Sequence, residues 1–92
     1  MNIIIDGLKI NDKNQFHEYI KDIMKLPEYY GKNLDALWDC LTGWIDLPMK
    51  IEWRNYAVSK ERLGCYADKI LETFKEAEEE LGDDFKLILS EL

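Results

Sequence analysis

Three short apolar stretches alternate with long segments of helical periodicity, and this alternation restricts the fold more than any other feature of the chain. The stretches are Asn2–Asp6, Met49–Arg54 and Phe85–Leu89. Strands separated by helical crossovers imply parallel pairing. Between the first two, Phe16, Tyr19, Ile20, Ile23 and Met24 recur at the spacing of one helix face, and Asp12 and Gln15 have the spacing of a capping box. Leu34, Leu37 and Leu41 form a second stripe, with Asn33 as N-cap and Gly43 as the predicted stop. A short helix from about Tyr56 to Leu63, ended by Gly64, precedes a longer one marked by Ala67, Ile70, Leu71, Phe74, Ala77 and Leu81 and stopped at Gly82. The expected fold is α/β, in the order β-α-α-β-α-α-β, with a three-stranded parallel sheet packed with about four helices. Consecutive isoleucines predict that the first strand is buried on both faces, as a central strand would be. The alternation of Met49, Ile51 and Trp53 with Lys50, Glu52 and Arg54 predicts one apolar face and an edge position.

Ninety-two residues fit one domain, 1–92, with a core that needs neither metal nor disulfide. A net charge of −7 disfavours nucleic acid or an anionic membrane as a direct partner. It favours a basic partner, although acidity also serves solubility alone. Cys40 and Cys65 read as reduced, partly buried thiols of a cytoplasmic protein. No stretch resembles a signal peptide, and none is long enough to cross a membrane. His17, the sole histidine, has no partner at catalytic or metal-binding spacing and reads as a surface residue. Without a phosphate-binding glycine loop, metal cluster or Ser/His/Asp set, neither enzyme activity, cofactor nor metal is expected.

The densest chemistry lies from Leu26 to Trp44, LPEYYGKNLDALWDCLTGW. Pro27 and Gly31 frame a short aromatic loop. Asp35, Asp39 and Thr42 share one face of the following helix, with Trp38 on its border. The two carboxylates repel by a few tenths of a kcal/mol, roughly, and no Lys or Arg occurs between Lys32 and Lys50 to offset them. As a catalytic pair they would sit on a convex helix rather than across a cleft. As structural charges they lack support. As ligands for arginines they make chemical sense, because carboxylates accept bidentate guanidinium bonds. Tyr29, Trp38 and Trp44 suit either core cover or interface anchors. Glu76 and Glu80 lie off the core face of the long helix, and Glu78 and Glu79 read as solvated.

This stretch resembles the barstar family, intracellular inhibitors of barnase-like ribonucleases. The match is dense from Leu26 to Arg54, through LPEYYG, NLDALWDCLTGW and EWR, and looser over FKEAEEE. The resemblance implies a barstar-like fold and one-to-one blockade of a basic active site, by a monomer that enters a heterodimer. It implies that Asp39 reaches the enzyme's phosphate-binding arginines and catalytic histidine, and that Asp35 and Glu76 engage a further arginine. Tyr29 would pack on that histidine, while Tyr30 packs inward. Asn33, Trp38, Thr42, Gly43 and Trp44 would line or support the contact, with a weaker role for Glu80. Lys32 departs from the family pattern, which has an acidic residue there. Cys65 departs as well, since the second family cysteine falls near Gly82. The alternative is an acidic binding module of antitoxin or immunity type that neutralises a different basic protein.

Overall fold

The structure, a computed structural model, describes residues 2–91. Its elements are β1 (Asn2–Asp6), α1 (Lys13–Met24), α2 (Leu34–Gly43), β2 (Met49–Arg54), α3 (Tyr56–Leu63), α4 (Cys65–Leu81) and β3 (Phe85–Ser90), with 3-10 turns at Gly7–Lys9 and Gly82–Asp84. The three strands form one parallel sheet, as the crossovers require. The mixed α/β order matches the barstar-like expectation.

The strand order is β1-β2-β3, so the two positional expectations exchange. β2 is central rather than at an edge, and β1 is an edge strand rather than a doubly buried one. The reason is that the helices cover a single face of the sheet. Ile3, Ile51 and Leu87 form one row on that face, and Ile5, Trp53 and Leu89 the next. On the opposite face, Ile4, Glu52 and Ile88 share a row, and Ile4 is 45% exposed. A central strand whose outer face meets water alternates like an edge strand. There Glu52 and Arg54 also pair, at 2.7 Å. Both true edges are tied to helices. The Asp6 N–H donates to the Tyr19 hydroxyl at 2.9 Å, and the Leu87 N–H donates to the Glu78 carboxylate at 2.9 Å. Glu78 is therefore half-buried and structural, not solvated, because an edge strand leaves a backbone donor in need of an acceptor.

The helix ends follow their capping residues, with two adjustments. Asp12 accepts from the Gln15 N–H at 2.8 Å, but the Gln15 side chain returns to the Asn11 N–H at 2.7 Å, one residue earlier than a capping box places it. Gly43 does not stop α2 in a left-handed cap. It is the last helical residue, and the Trp44 N–H closes the turn on the Cys40 carbonyl at 2.9 Å. Gly64 and Gly82, at φ of 60° and 63°, do stop α3 and α4 as expected.

Of the five glycines, Gly7 has the least room for a side chain. A methyl group built on it would lie 2.5 Å from the Asn55 carbonyl oxygen, 2.6 Å from the Ser59 Oγ and 2.8 Å from the Arg54 carbonyl oxygen. Two of these are backbone atoms that cannot rotate away. Gly7→Ala is therefore expected to destabilise the chain by about 1–3 kcal/mol through overpacking. A urea midpoint equal to that of the parent would show that the β1–β2 end can relax.

Candidate functional site

The loop before α2 is built by the end of α1. Lys25 adopts a left-handed conformation (φ 53°), and the Leu26 N–H donates back to the Lys21 carbonyl at 3.0 Å. This C-terminal motif turns the chain sharply. Leu26 and Pro27 are buried, and the Tyr30 N–H donates to the Pro27 carbonyl at 2.9 Å. The resulting turn sends adjacent tyrosines opposite ways. Tyr29 is 79% exposed and Tyr30 is 5% exposed.

Tyr30 is anchored by His17, which is fully buried rather than on the surface. Its Nδ1 lies 2.7 Å from the Tyr30 hydroxyl and its Nε2 lies 2.6 Å from the Tyr66 hydroxyl. Neutral imidazole has one donor and one acceptor, so one hydroxyl donates to the ring and the other accepts from it. Burial, and secondarily the Lys13 charge, lower the His17 pKa to about 4. The unfolded chain therefore takes up this proton first as the pH falls. The stabilisation is complete above about pH 6.5 and is lost between there and about pH 4, roughly 3 kcal/mol in all. Urea unfolding at several pH values checks this: the parent's stability should fall over that window, and that of His17→Gln should fall much less. Parallel curves for the two proteins would contradict it.

α2 begins where Asn33 accepts from the Ala36 N–H at 2.7 Å and donates to the Gly31 carbonyl at 3.3 Å. Asn33 thus supports the helix rather than reaching outward. Leu37 and Leu41 are buried and Leu34 half-buried, which fixes the rotation of the helix. Asp35 and Asp39 are consequently exposed, about 6 Å apart along the axis. Among the described residues, no hydrogen bond or ion pair takes Asp35, Asp39, Glu76 or Glu80. Trp38 is half-buried against the core, and the Thr42 hydroxyl donates to its carbonyl at 2.8 Å. On the buried side, Cys40 has its thiol pKa raised by burial and then by the charge of Asp39. Cys65, by contrast, is exposed rather than partly buried, because it opens α4 on the outer side.

The loop runs back alongside α2, so its aromatic residue meets the far end of the helix. The Tyr29 and Trp44 rings stand edge to face, 6.2 Å apart and 82° between planes. The Trp44 indole N–H also reaches the Lys25 carbonyl at 3.4 Å. Trp44 is 48% exposed. Along α2 the outer surface therefore passes from Asp35, to Asp39, to an aromatic pair beside Gly43. α4 packs beside α2, and Glu76 and Glu80 are exposed on it. Glu76 lines an open groove of about 520 Å³ whose lining comes from α4 alone, so the groove does not join it to the α2 carboxylates. At the other end of α2, Lys13, Lys32 and Lys69 line an open depression of about 270 Å³ together with Asn33 and Asp35. Cations absent from the local sequence are thus brought close by α1 and α4, a clustering that no local spacing signals.

Two carboxylates, solvated and unpaired on a rigid helix, can accept several guanidinium or ammonium groups at little reorganisation cost. The exposed rings beside them can stack on a planar group. Among the described residues, no three His, Cys, Asp or Glu side chains are grouped to hold a metal ion. No described helix is long and apolar enough to cross a membrane. Two comparisons bear on the chain as a whole. Residues 1–90 match the family described as Barstar (barnase inhibitor). A protein of Bacillus subtilis (strain 168), named "Putative ribonuclease inhibitor YrdF", is 52% identical over 87 residues, which cover 95% of this chain and 96% of that protein.

Proposed function

This chain belongs to the barstar family, and on that premise we propose that it inhibits a barnase-like ribonuclease one-to-one, by laying the outer face of α2 into the enzyme's basic active site. The observation that carries the reading is the exposed pair Asp35 and Asp39, free of any ion pair, on a helix whose rotation the core fixes. The 52% identity to a protein named as a ribonuclease inhibitor supports the same role.

An enzyme that cleaves RNA must hold phosphate with arginines and lysines. Those cations repel one another when the site is empty. Asp39, mid-helix and outside the lysine-lined depression, stands in for the phosphate and accepts from several of them. Asp35 and Glu76 take a further arginine, and Tyr29 packs on the catalytic histidine. Trp38, Thr42, Gly43 and Trp44 shape the surface, Asn33 holds the helix start, and Glu80 contributes at the margin. The inhibitor performs no chemistry: it excludes RNA by bulk and by charge. Its place is the cytoplasm, and it acts there as a monomer that forms a heterodimer.

The test is RNA cleavage by a barnase-like ribonuclease, titrated with this protein. Activity is expected to fall linearly to zero at one equivalent. Undiminished cleavage at low salt, with the added protein shown to be folded, would overturn the reading and direct the search to a different basic partner.

A further inference from the structure

We propose that the depression lined by Lys13, Lys32 and Lys69 is a second docking point of opposite sign, which receives a carboxylate side chain from the rim of the ribonuclease. It would fix the register of the α2 face and reject enzymes that carry a cation there. This inference rests on the inhibitor reading above and adds to it the chemistry of one further partner residue.

The chain is acidic, with 19 Asp and Glu against 12 Lys and Arg. Yet in this depression three lysines meet one carboxylate, that of Asp35. The lysines come from three separate segments: the first turn of α1, the loop before α2, and α4. Lys13 stands at the first position of α1, where the helix dipole disfavours a cation, and beyond the N-cap Asp12, whose carboxylate is engaged by the Gln15 N–H, no acidic residue shares that turn. Its ammonium lies 5.6 Å from the centre of the Tyr66 ring, which also lines the depression. Lys32 is paired with Glu18. Among the described residues, Lys13 and Lys69 have no carboxylate at ion-pair distance, although Asp35 lines the same hollow. Uncompensated cations thus border the uncompensated acid at the start of the proposed interface. Complementary charges on a partner steer encounter and set orientation, and like charges exclude the wrong partner. An enzyme that offers arginines to Asp35 and Asp39 and a carboxylate to these lysines satisfies both in a single orientation.

The pair of unpaired lysines gives a test in which general steering and this proposal predict opposite signs. Lys13→Glu/Lys69→Glu makes an acidic inhibitor more acidic, so overall attraction to a basic enzyme alone would speed association. A carboxylate opposite the depression would instead slow it. Stopped-flow association with a barnase-like ribonuclease is expected to slow at least about threefold for the double variant. The Lys13→Gln/Lys69→Gln form should be intermediate. Lys50→Glu, on the open sheet face, should associate no more slowly than the parent. A urea midpoint near that of the parent confirms that each variant is folded. Association of the double glutamate variant at the parent's rate or faster would overturn the proposal while leaving the inhibitor reading intact. Binding of a short RNA to the parent alone, lost in the variant, would also overturn it, by giving the lysines to phosphate instead. A parent that leaves the ribonuclease fully active would overturn both readings together.

Discussion

Asp39→Ala is expected to weaken the complex by about 2–5 kcal/mol, roughly 30- to 5,000-fold in Kd. That is the general range for removing one member of a buried charge pair, and complexes of this family have contributed to it. Much of the loss comes from the enzyme, whose cations would remain buried without their carboxylate. The fold itself has no use for Asp39. The side chain is exposed and, among the described residues, takes no ion pair. It repels Asp35 one turn away, and alanine is the better helix former. The same substitution should therefore leave stability unchanged or raise it by a few tenths of a kcal/mol, roughly. Opposite signs for binding and stability are the mark of a residue kept for its partner. Calorimetry of the complex and urea unfolding of the free variant measure the two quantities separately. Equal affinities, or a large loss of stability, would remove Asp39 from its proposed role.

Trp53→Ala is expected to cost the free protein about 3–5 kcal/mol. A chain of this length has only about 5–14 kcal/mol of stability in total. Trp53 is fully buried near the C-terminal end of the middle strand, beneath the helices. Its ring lies 4.9 Å from Tyr56, 6.1 Å from Phe74 and 6.3 Å from Phe16, measured between centroids. One residue thus joins α1, α3 and α4 to the sheet. Its indole N–H donates to the buried Ser59 Oγ at 3.1 Å. Trp53→Phe keeps most of the ring contacts but loses that donor, so it should cost less, about 1–3 kcal/mol. A loss below about 1 kcal/mol for the alanine variant would mean that the helices close over the cavity.

The elements themselves were legible in the residues. β1, α3 and the strand that carries Trp53 fall where periodicity and the glycine stops place them. Strand order was less legible, because a pattern of two reports which faces are wet, not which strands are neighbours. A sheet covered on one side makes its central strand read as an edge, and an isoleucine run conceals the exposure of Ile4. His17 carried a burial signal in its spacing, which the lack of catalytic or metal-binding partners nearby in the sequence does nothing to cancel. It stands three residues before Ile20 and seven before Met24, on the buried stripe, and its tyrosine partners lie 13 and 49 residues away. The outward rotation of Asp35 and Asp39 followed from Leu34, Leu37 and Leu41. The gathering of Lys13, Lys32 and Lys69 beside Asp35 did not, since it depends on how α1 and α4 pack around the start of α2.

The proposed inhibition requires the α2 carboxylates to take the place of RNA phosphate on the ribonuclease. A double-mutant cycle addresses it most directly, pairing Asp39→Ala with alanine at a phosphate-binding arginine of a barnase-like enzyme. A coupling energy above about 1.5 kcal/mol is expected, as for charges in direct contact. Coupling indistinguishable from zero, with both single variants folded, would mean that Asp39 and the phosphate site never meet.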